Sequence, residues 1–373
     1  MQEINIPFSQ KRWQGLLDAY ECWWNNTLDR PLFNIKLTWD SDGKNPAGRP
    51  TGLSSYALDV PVEAICQDVA WALSRRVFLG DSYPIFLPDY GAGVNAAFAG
   101  ANTIVRPETV WFEAKTPETV ENLHLTHHPD DPIYRRIVDF YTTADTYFQG
   151  SLVLGMTHLN NGIDIPARLI KGVDLCIALH DQPEQVERLV WESHELFMQH
   201  LWSLSDILKH NPGFTCWSDI LAPEPWFGTQ CDFCAMIGPE HFDRFVLPEL
   251  QACMRKMPRY NYYHLDGREE LVHLDKILAI PELQIVQWVA GDDELPDEEW
   301  MWLYKKIRAA GKKLWYGGPE QNLDLLADTL GSLKGVYWQK CGRQEDQDRL
   351  QRLMERFGVP AEPNKIKSNK RGS

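Results

Sequence analysis

The chain has 373 residues, of which 44% are hydrophobic and 24% charged, a globular composition that excludes a disordered body. With 37 basic against 52 acidic residues its formal charge is −15, and so acidic a surface repels phosphate backbones and speaks against nucleic acid as a partner. That length also exceeds the ~250–300 residues at which single cores stop growing, which leaves two ordinary domains or one large α/β barrel with insertions.

No run approaches the ~18 apolar residues of a membrane-spanning helix. The start MQEINIPFSQKRW lacks the basic and apolar regions of a signal peptide. Eight scattered cysteines read as free thiols rather than a disulfide frame, so a cytoplasmic protein is expected. The tail NKIKSNKRGS, Asn364 to Ser373, has the composition of a frayed terminus. The domain expectation is a single unit over 1–360 and a polar, basic tail over 361–373.

In chain order, Arg30-Pro31 opens LFNIKLTW, followed by YPIFL at Tyr83 to Leu87 and SLVLGM at Ser151 to Met156. Further runs are FTCWSDI from Phe214, YNYYHLD from Tyr260, LQIVQWV from Leu283, KLWY from Lys313 and GVYW from Gly335. Each is short and rich in aromatic or β-branched residues, the mark of a strand. Helices fall between them. Gln182-Pro183-Glu184 starts one, with Val186, Leu189, Val190, His194 and Phe197 on one stripe. Gly238-Pro239-Glu240 starts another, with Phe242, Phe245, Val246 and Leu250; Pro296 opens a third, and Gln344 to Phe357 form a fourth. Strand and helix alternating through eight runs predict a (β/α)8 TIM barrel with N-terminal and loop insertions. The segments Gly43 to Gly80 and Ala92 to Gln149 are too long for plain connections and are expected to fold over one mouth. A doubly wound sheet is the alternative, but KLTWDSDGKNPAGRP lacks the glycine spacing of its first turn.

Reactive groups of a barrel come from the C-terminal ends of its strands. Reading each run to its end gives Asp89 and Tyr90, His158, Asp219, the pair His264 and Asp266, Gln287 with Trp288, and Cys341. Tyr262, His264 and Asp266 share one strand face because side chains alternate with period two. Such a histidine and carboxylate suit either one metal ion or an acid/base pair; the structural alternative is a local hydrogen bond and a turn cap at Gly267. The second triplet, His273-Leu274-Asp275, falls in a helix and reads as structural. Tyr90, Trp217 and Trp288, with Trp226, Phe227, Trp315 and Trp338, would make an aromatic pocket or simply pack strands against helices. Cys231 and Cys234 lie in a proline-rich loop and read as buried or rim thiols, short of a zinc or redox set.

From Gly155 onward the segment order resembles the uroporphyrinogen decarboxylase superfamily, which includes the decarboxylase and zinc-dependent, corrinoid-linked methyltransferases. The residues that carry the resemblance are DRP at Asp29 to Pro31, GMTHLNNGIDIPARLIKGVDLCIALHDQPEQV at Gly155 to Val186, IGPEHFDRFVLPEL at Ile237 to Leu250, YYHLDG and LQIVQWVAG. The resemblance implies a (β/α)8 barrel over roughly 25–358. The decarboxylase's arginine-rich RQAGRY-type motif is missing, since KRWQGLLDAYECWWNN stands there, so porphyrinogen decarboxylation is not expected. Asp81 or Asp89 falls in the region of that enzyme's catalytic aspartate. Where the methyltransferases have His-x-Cys-Gly, this chain has His264-Leu265-Asp266-Gly267, with Cys341 after the last strand.

What the resemblance implies is a methyltransferase-like enzyme with zinc at His264, Asp266 and Cys341. No cobalamin-binding loop is present in the chain, so a corrinoid would come on a separate carrier protein. The alternatives are a decarboxylase or other lyase on a small carboxylate, with Asp89 or Asp232 neutralising developing positive charge, and a non-catalytic barrel that binds a small molecule. His158 and Asp219 complete the expected catalytic set; Tyr90, Trp217 and Trp288 are the cofactor-binding set. A small-molecule substrate and a homo-oligomer are the family default.

Overall fold

The computed structural model describes residues 6–38, 52–106, 109–116, 118–257, 259–291 and 295–361. Except for Ala361, the basic tail lies outside the described residues, as does part of the loop that follows the first strand.

The first strand, β1 (Leu32–Thr38), is buried along nearly its whole length, as expected of a parallel strand covered on both faces. It is bordered by an antiparallel β2 (Arg76–Gly80) on one side. Short β3 (Ile85–Phe86) follows, then the antiparallel hairpin β4 (Asn102–Val105) and β5 (Val110–Glu113), and β6 (Val153–Leu154), which pairs in parallel with β3. The remaining strands are β7 (Gly228–Thr229), β8 (Tyr262–Asp266), β9 (Ile285–Val289), β10 (Lys313–Tyr316) and β11 (Val336–Arg343). The main sheet runs β2-β1-β11-β10-β9-β8-β7. All its pairs are parallel except β1–β2. The first and last long strands are therefore neighbours, from Leu32↔Tyr337 to Thr38↔Arg343.

This is an α/β fold with a central, mostly parallel sheet flanked by helices, consistent with a distorted barrel. The clean closed (β/α)8 ladder expected from sequence is not formed among the described residues, because the β3–β6 pair is not joined to the main sheet by a strand ladder. The expected strand at 214–220 is the point of failure. It makes only an isolated bridge, Phe214↔Ala222, and a single backbone bond, Met156 N to Thr215 O at 2.8 Å, ties it to the end of β6. Asp219 adopts φ +57°, a left-handed conformation that ends any extended run, and Pro223 and Pro225 remove two ladder donors. The strand next to β8 is instead Gly228–Thr229. Only glycine fits at 228: a Cβ there would lie 2.8 Å from Tyr262 Cδ1 and 3.0 Å from the Trp217 ring.

The helices expected from proline-started stripes are present. Pro183–Ser205 is the longest. After Gly238 the helix opens as Pro239–His241, widens into a π turn at Phe242–Val246 and continues as Leu247–Lys256. The N-terminal insertion is the helix Gln10–Trp24, whose start is capped by the Ser9 side chain. It closes the end of the sheet opposite the site: Trp24 Nε1 donates to Leu221 O at 2.9 Å, and the Lys313 ammonium donates to Trp24 O at 2.9 Å. The Arg30 guanidinium makes a fork of two 2.8 Å bonds to Asp81, and Asp81 also accepts from Phe33 N at 3.0 Å. That carboxylate holds the start of β1, so the DRP triplet is architectural here. No helix among the described residues is long and apolar enough to cross a membrane.

Candidate active site

Six of the expected site residues, Asp89, His158, Trp217, Asp232, His264 and Asp266, gather around the C-terminal ends of β6, β7 and β8. His158 follows β6 and stacks on Trp217, with ring centroids 4.1 Å apart. The Trp217 ring also stands nearly perpendicular to that of His264 of β8, with centroids 6.2 Å apart. Asp232, just past β7, and Asp266 at the end of β8 act on His264 electrostatically, and Asp89 and Asp232 act on His158. His264 and Asp266 share a strand face as the period of two requires; Nε2 of His264 lies 3.8 Å from Asp266 Oδ2, an ion-pair distance rather than a hydrogen bond.

Two glutamines fix how the imidazoles are protonated. Gln287 sits beside His264 in the β8–β9 register, and its Oε1 accepts from the Tyr262 hydroxyl and from His264 Nδ1, the latter at 2.7 Å. The proton of neutral His264 therefore belongs on Nδ1, and Nε2 is the position that gains or loses one. Around His158 the arrangement is the reverse. Gln230 donates through Nε2 to Asp232 Oδ1 at 2.9 Å, which turns its Oε1 toward His158 Nε2 at 3.2 Å. A carbonyl oxygen can only accept, so His158 carries its proton on Nε2 and leaves Nδ1 as a base.

Their environments push the two rings apart. Burial lowers the pKa of His158, and the carboxylates of Asp89 and Asp232 recover only part of that shift. Burial also opposes charge on His264, but the Asp266 carboxylate beside it, the hydrogen bond to Gln287 and the charge of Asp232 outweigh it, so its pKa is raised. Behind them, Asp164 accepts the backbone N–H groups of Asp232 and Phe233 at 3.0 Å each. Burial, with Asp232 beside it, pushes Asp164 up to about 7. Arg168 stands 3.5 Å from Asp232, a fixed cation for an acidic substrate group. Deeper, burial raises Glu270 to about 11, with Cys234, Asp232 and Asp164 adding to the shift.

The other expected residues lie elsewhere. Asp219 belongs to a separate buried pair: its Oδ2 accepts from the Lys36 ammonium and from Gln339 Nε2, the latter at 2.9 Å. Its carbonyl accepts from Tyr83 and Tyr337. Tyr90 is buried, and burial raises its hydroxyl to about 12 despite the charge of Arg136. Trp288 alternates with Gln287 and so points away from the site, where it packs on Trp300 at 4.8 Å. With Trp217 covered by His158 and Tyr90 buried, these three aromatics offer no common open face. Cys341 is exposed, far along β11. Among the described residues it does not join His264 and Asp266 in a compact ligand group, so the expected zinc trio does not fit. His273 has its Nε2 3.1 Å from the carbonyls of Cys234 and Ile237, the structural role read for the second triplet.

Sequence reading placed Gln287 at a strand end without giving it a role, and missed Gln230, Asp164 and Lys36. It also missed the compact group His194, Glu249 and Cys253, whose ligand atoms all lie within 4.8 Å of one another and which are all buried. A Glu and a Cys four apart on one helix carry a weak signal, but only packing brings His194 to them.

No family model matches the chain, and no curated protein matches it. Solved structures do, among them a methyltransferase from Methanosarcina mazei, with a TM-score of 0.56 over 90% of this chain and 94% of that one at 11% identity. The two share a fold. At that identity the likeness is one of fold alone, and it assigns no family.

Proposed function

We propose that this protein is a methyltransferase-like enzyme that moves a methyl group between two heteroatoms of small molecules, with His264 as general acid and His158 as general base. The observation that carries this reading is the opposed setting of the two histidines at one mouth. Gln287 leaves Nε2 of His264 as its titrating nitrogen, Gln230 leaves Nδ1 of His158 bare, and their pKa values are displaced in opposite directions. Titratable groups driven apart by their surroundings mark acid and base assignments.

The acceptor H–Nu gives its proton to His158 Nδ1, and its lone pair forms the new bond to the methyl carbon. The bond from that carbon to the donor heteroatom breaks, its electron pair stays on the heteroatom, and His264 Nε2 supplies the proton. The balance is R–X–CH3 + H–Nu → R–XH + CH3–Nu, with no oxidation or reduction. Asp266 stabilises the imidazolium before transfer, and Arg168 anchors an acidic group on the donor. Because His264, Asp266 and Cys341 form no compact ligand group among the described residues and a corrinoid is expected only on a separate carrier, no step is routed through either. A corrinoid on a separate carrier would have to arrive already reduced to cobalt(I); it has no proton to give His158, so only the proton from His264 to the leaving heteroatom would be needed from this chain.

The test is a panel of 13C-methyl ethers, amines and thioethers with a thiol, or with cobalamin or a corrinoid carrier reduced beforehand to cobalt(I) by titanium(III) citrate, as acceptor, followed by NMR. We expect label on the acceptor, with His264→Asn and, for the thiol, His158→Asn each lowering the rate 10²–10⁴-fold, roughly the range of acid/base catalysis. Unlabelled acceptor with carbon dioxide released from a carboxylated substrate would replace methyl transfer by decarboxylation. Full activity in both asparagine variants would remove the assigned roles.

A further inference from the structure

The helical layer holds a second polar centre that the chemistry above does not use. His194 lies in the helix Pro183–Ser205, and Glu249 and Cys253 are one turn apart in Leu247–Lys256. All three are at least 97% buried. Cys253 Sγ is 2.8 Å from Glu249 Oε1 and 3.3 Å from His194 Nδ1, and that nitrogen is 3.3 Å from the same carboxylate oxygen. The second oxygen of Glu249 accepts from Asn161 Nδ2 at 2.9 Å. No lysine or arginine is among these partners. A carboxylate taken this far from water calls for a compensating positive charge, and imidazole, carboxylate and thiol in contact are the donor set of a borderline-soft divalent ion.

We infer that His194, Glu249 and Cys253 bind one zinc-type divalent cation in the helical layer, apart from the strand mouth. Metal–ligand lengths of about 2.0–2.3 Å place tetrahedral donors roughly 3.3–3.6 Å apart, so the two distances to His194 already nearly fit and Cys253 Sγ and Glu249 Oε1 need to part by about 0.7 Å to admit the ion. Binding replaces the Cys253 S–H proton by the metal and releases that proton, with no change of oxidation state. Magnesium and calcium, which take oxygen ligands, are not expected there.

The site would brace the mouth from behind. Gly162, at φ +56°, leaves no room for a Cβ, which would meet Glu249 Oε2 at 2.8 Å. The loop bearing His158, Asn161 and Asp164 is thus fitted onto this carboxylate, and Asn161 Oδ1 accepts from Gln230 N at 3.4 Å.

The test is elemental analysis of the untagged full chain produced with added zinc, and absorption of the chain produced with cobalt(II). We expect about one ion per chain, which fixes Cys253 as thiolate, and a near-ultraviolet thiolate-to-cobalt band. Cys253→Ala and His194→Asn should lower occupancy more than tenfold; Cys341→Ser and His264→Asn should leave it unchanged. In the cobalt protein, paramagnetic shifts should fall on the His194 ring and spare His264, which decides the matter even where Cys253→Ala does not fold. A folded, zinc-supplemented chain with no ion would overturn the inference. So would a cobalt band lost with Cys341→Ser and kept without Cys253.

Discussion

Replacing Lys36 by Met tests how the distorted side of the barrel is held together. The Lys36 ammonium and the Asp219 carboxylate are side chains exposed by only 7% and 12%. They tie β1 to the irregular 214–220 segment, which no strand ladder holds. With methionine at 36, Asp219 would keep one neutral donor, Gln339 Nε2 at 2.9 Å, for a full negative charge. Breaking a buried pair by removing one partner costs about 3–5 kcal/mol, because the other charge is left uncompensated. Asn at 219 keeps the shape and tolerates the left-handed backbone seen at φ +57°, so Lys36→Met with Asp219→Asn removes both charges together. We expect the single change to cost about 3 kcal/mol or more and the double change at least ~1 kcal/mol less than the sum of its parts, a coupling of the size that neighbours in one network show. Urea unfolding of the four proteins at pH 7, followed by tryptophan fluorescence, reads this directly. A Lys36→Met protein within ~0.5 kcal/mol of the parent, the range of an ordinary surface change, would refute the reasoning.

The pH dependence of turnover should be bell-shaped. His158 must be neutral, and its lowered pKa sets an acid limb below the ordinary histidine value of about 6.5. His264 must be protonated, and its raised pKa sets an alkaline limb above that value; a single limb centred near 6.5 would contradict the pair. Gln287→Leu should lower the rate at every pH and move the alkaline limb toward neutrality, since a hydrogen bond that favours the charged ring is lost; an unmoved limb would show that Gln287 does not act on His264. Asp164, protonated in the folded chain up to about 7 and ionised in the unfolded chain above about 3.9, contributes stability that falls as pH rises between those values. Asp164→Asn should flatten that part of the stability–pH curve, and an unchanged slope would argue against the buried acid. Gly228→Val should cost roughly 1–3 kcal/mol by overpacking against Tyr262 and Trp217, measured as the shift in the urea midpoint.

Much of the frame was legible because it follows local rules. Proline-started apolar stripes gave the helices, and strand period two placed His264 and Asp266 on one face. The same period, carried one strand further, puts Gln287 with His264 and turns Trp288 outward, so the aromatic expectation for Trp288 conflicted with a rule already in use. The 214–220 run misled because its aromatic and β-branched content is strand-like, while the left-handed turn at Asp219 is imposed by tertiary contacts to Lys36, Tyr83 and Tyr337. Gln230 and Gln287 carry no charge and no motif; their importance lies in which atom faces which histidine. Cys341, expected just after the last strand, sits exposed within a β11 that runs on to Arg343, an extension that spacing along one strand does not set.

The most direct measurement is an NMR titration of the ring nitrogens in protein labelled with 15N-histidine, with His158→Asn and His264→Asn used to assign the signals. The account requires His264 to titrate above about 6.5 with its neutral form protonated on Nδ1, and His158 to titrate below that value with its neutral form protonated on Nε2. Two rings titrating together near that value, or the opposite tautomers, would contradict the acid and base roles on which the proposed chemistry rests.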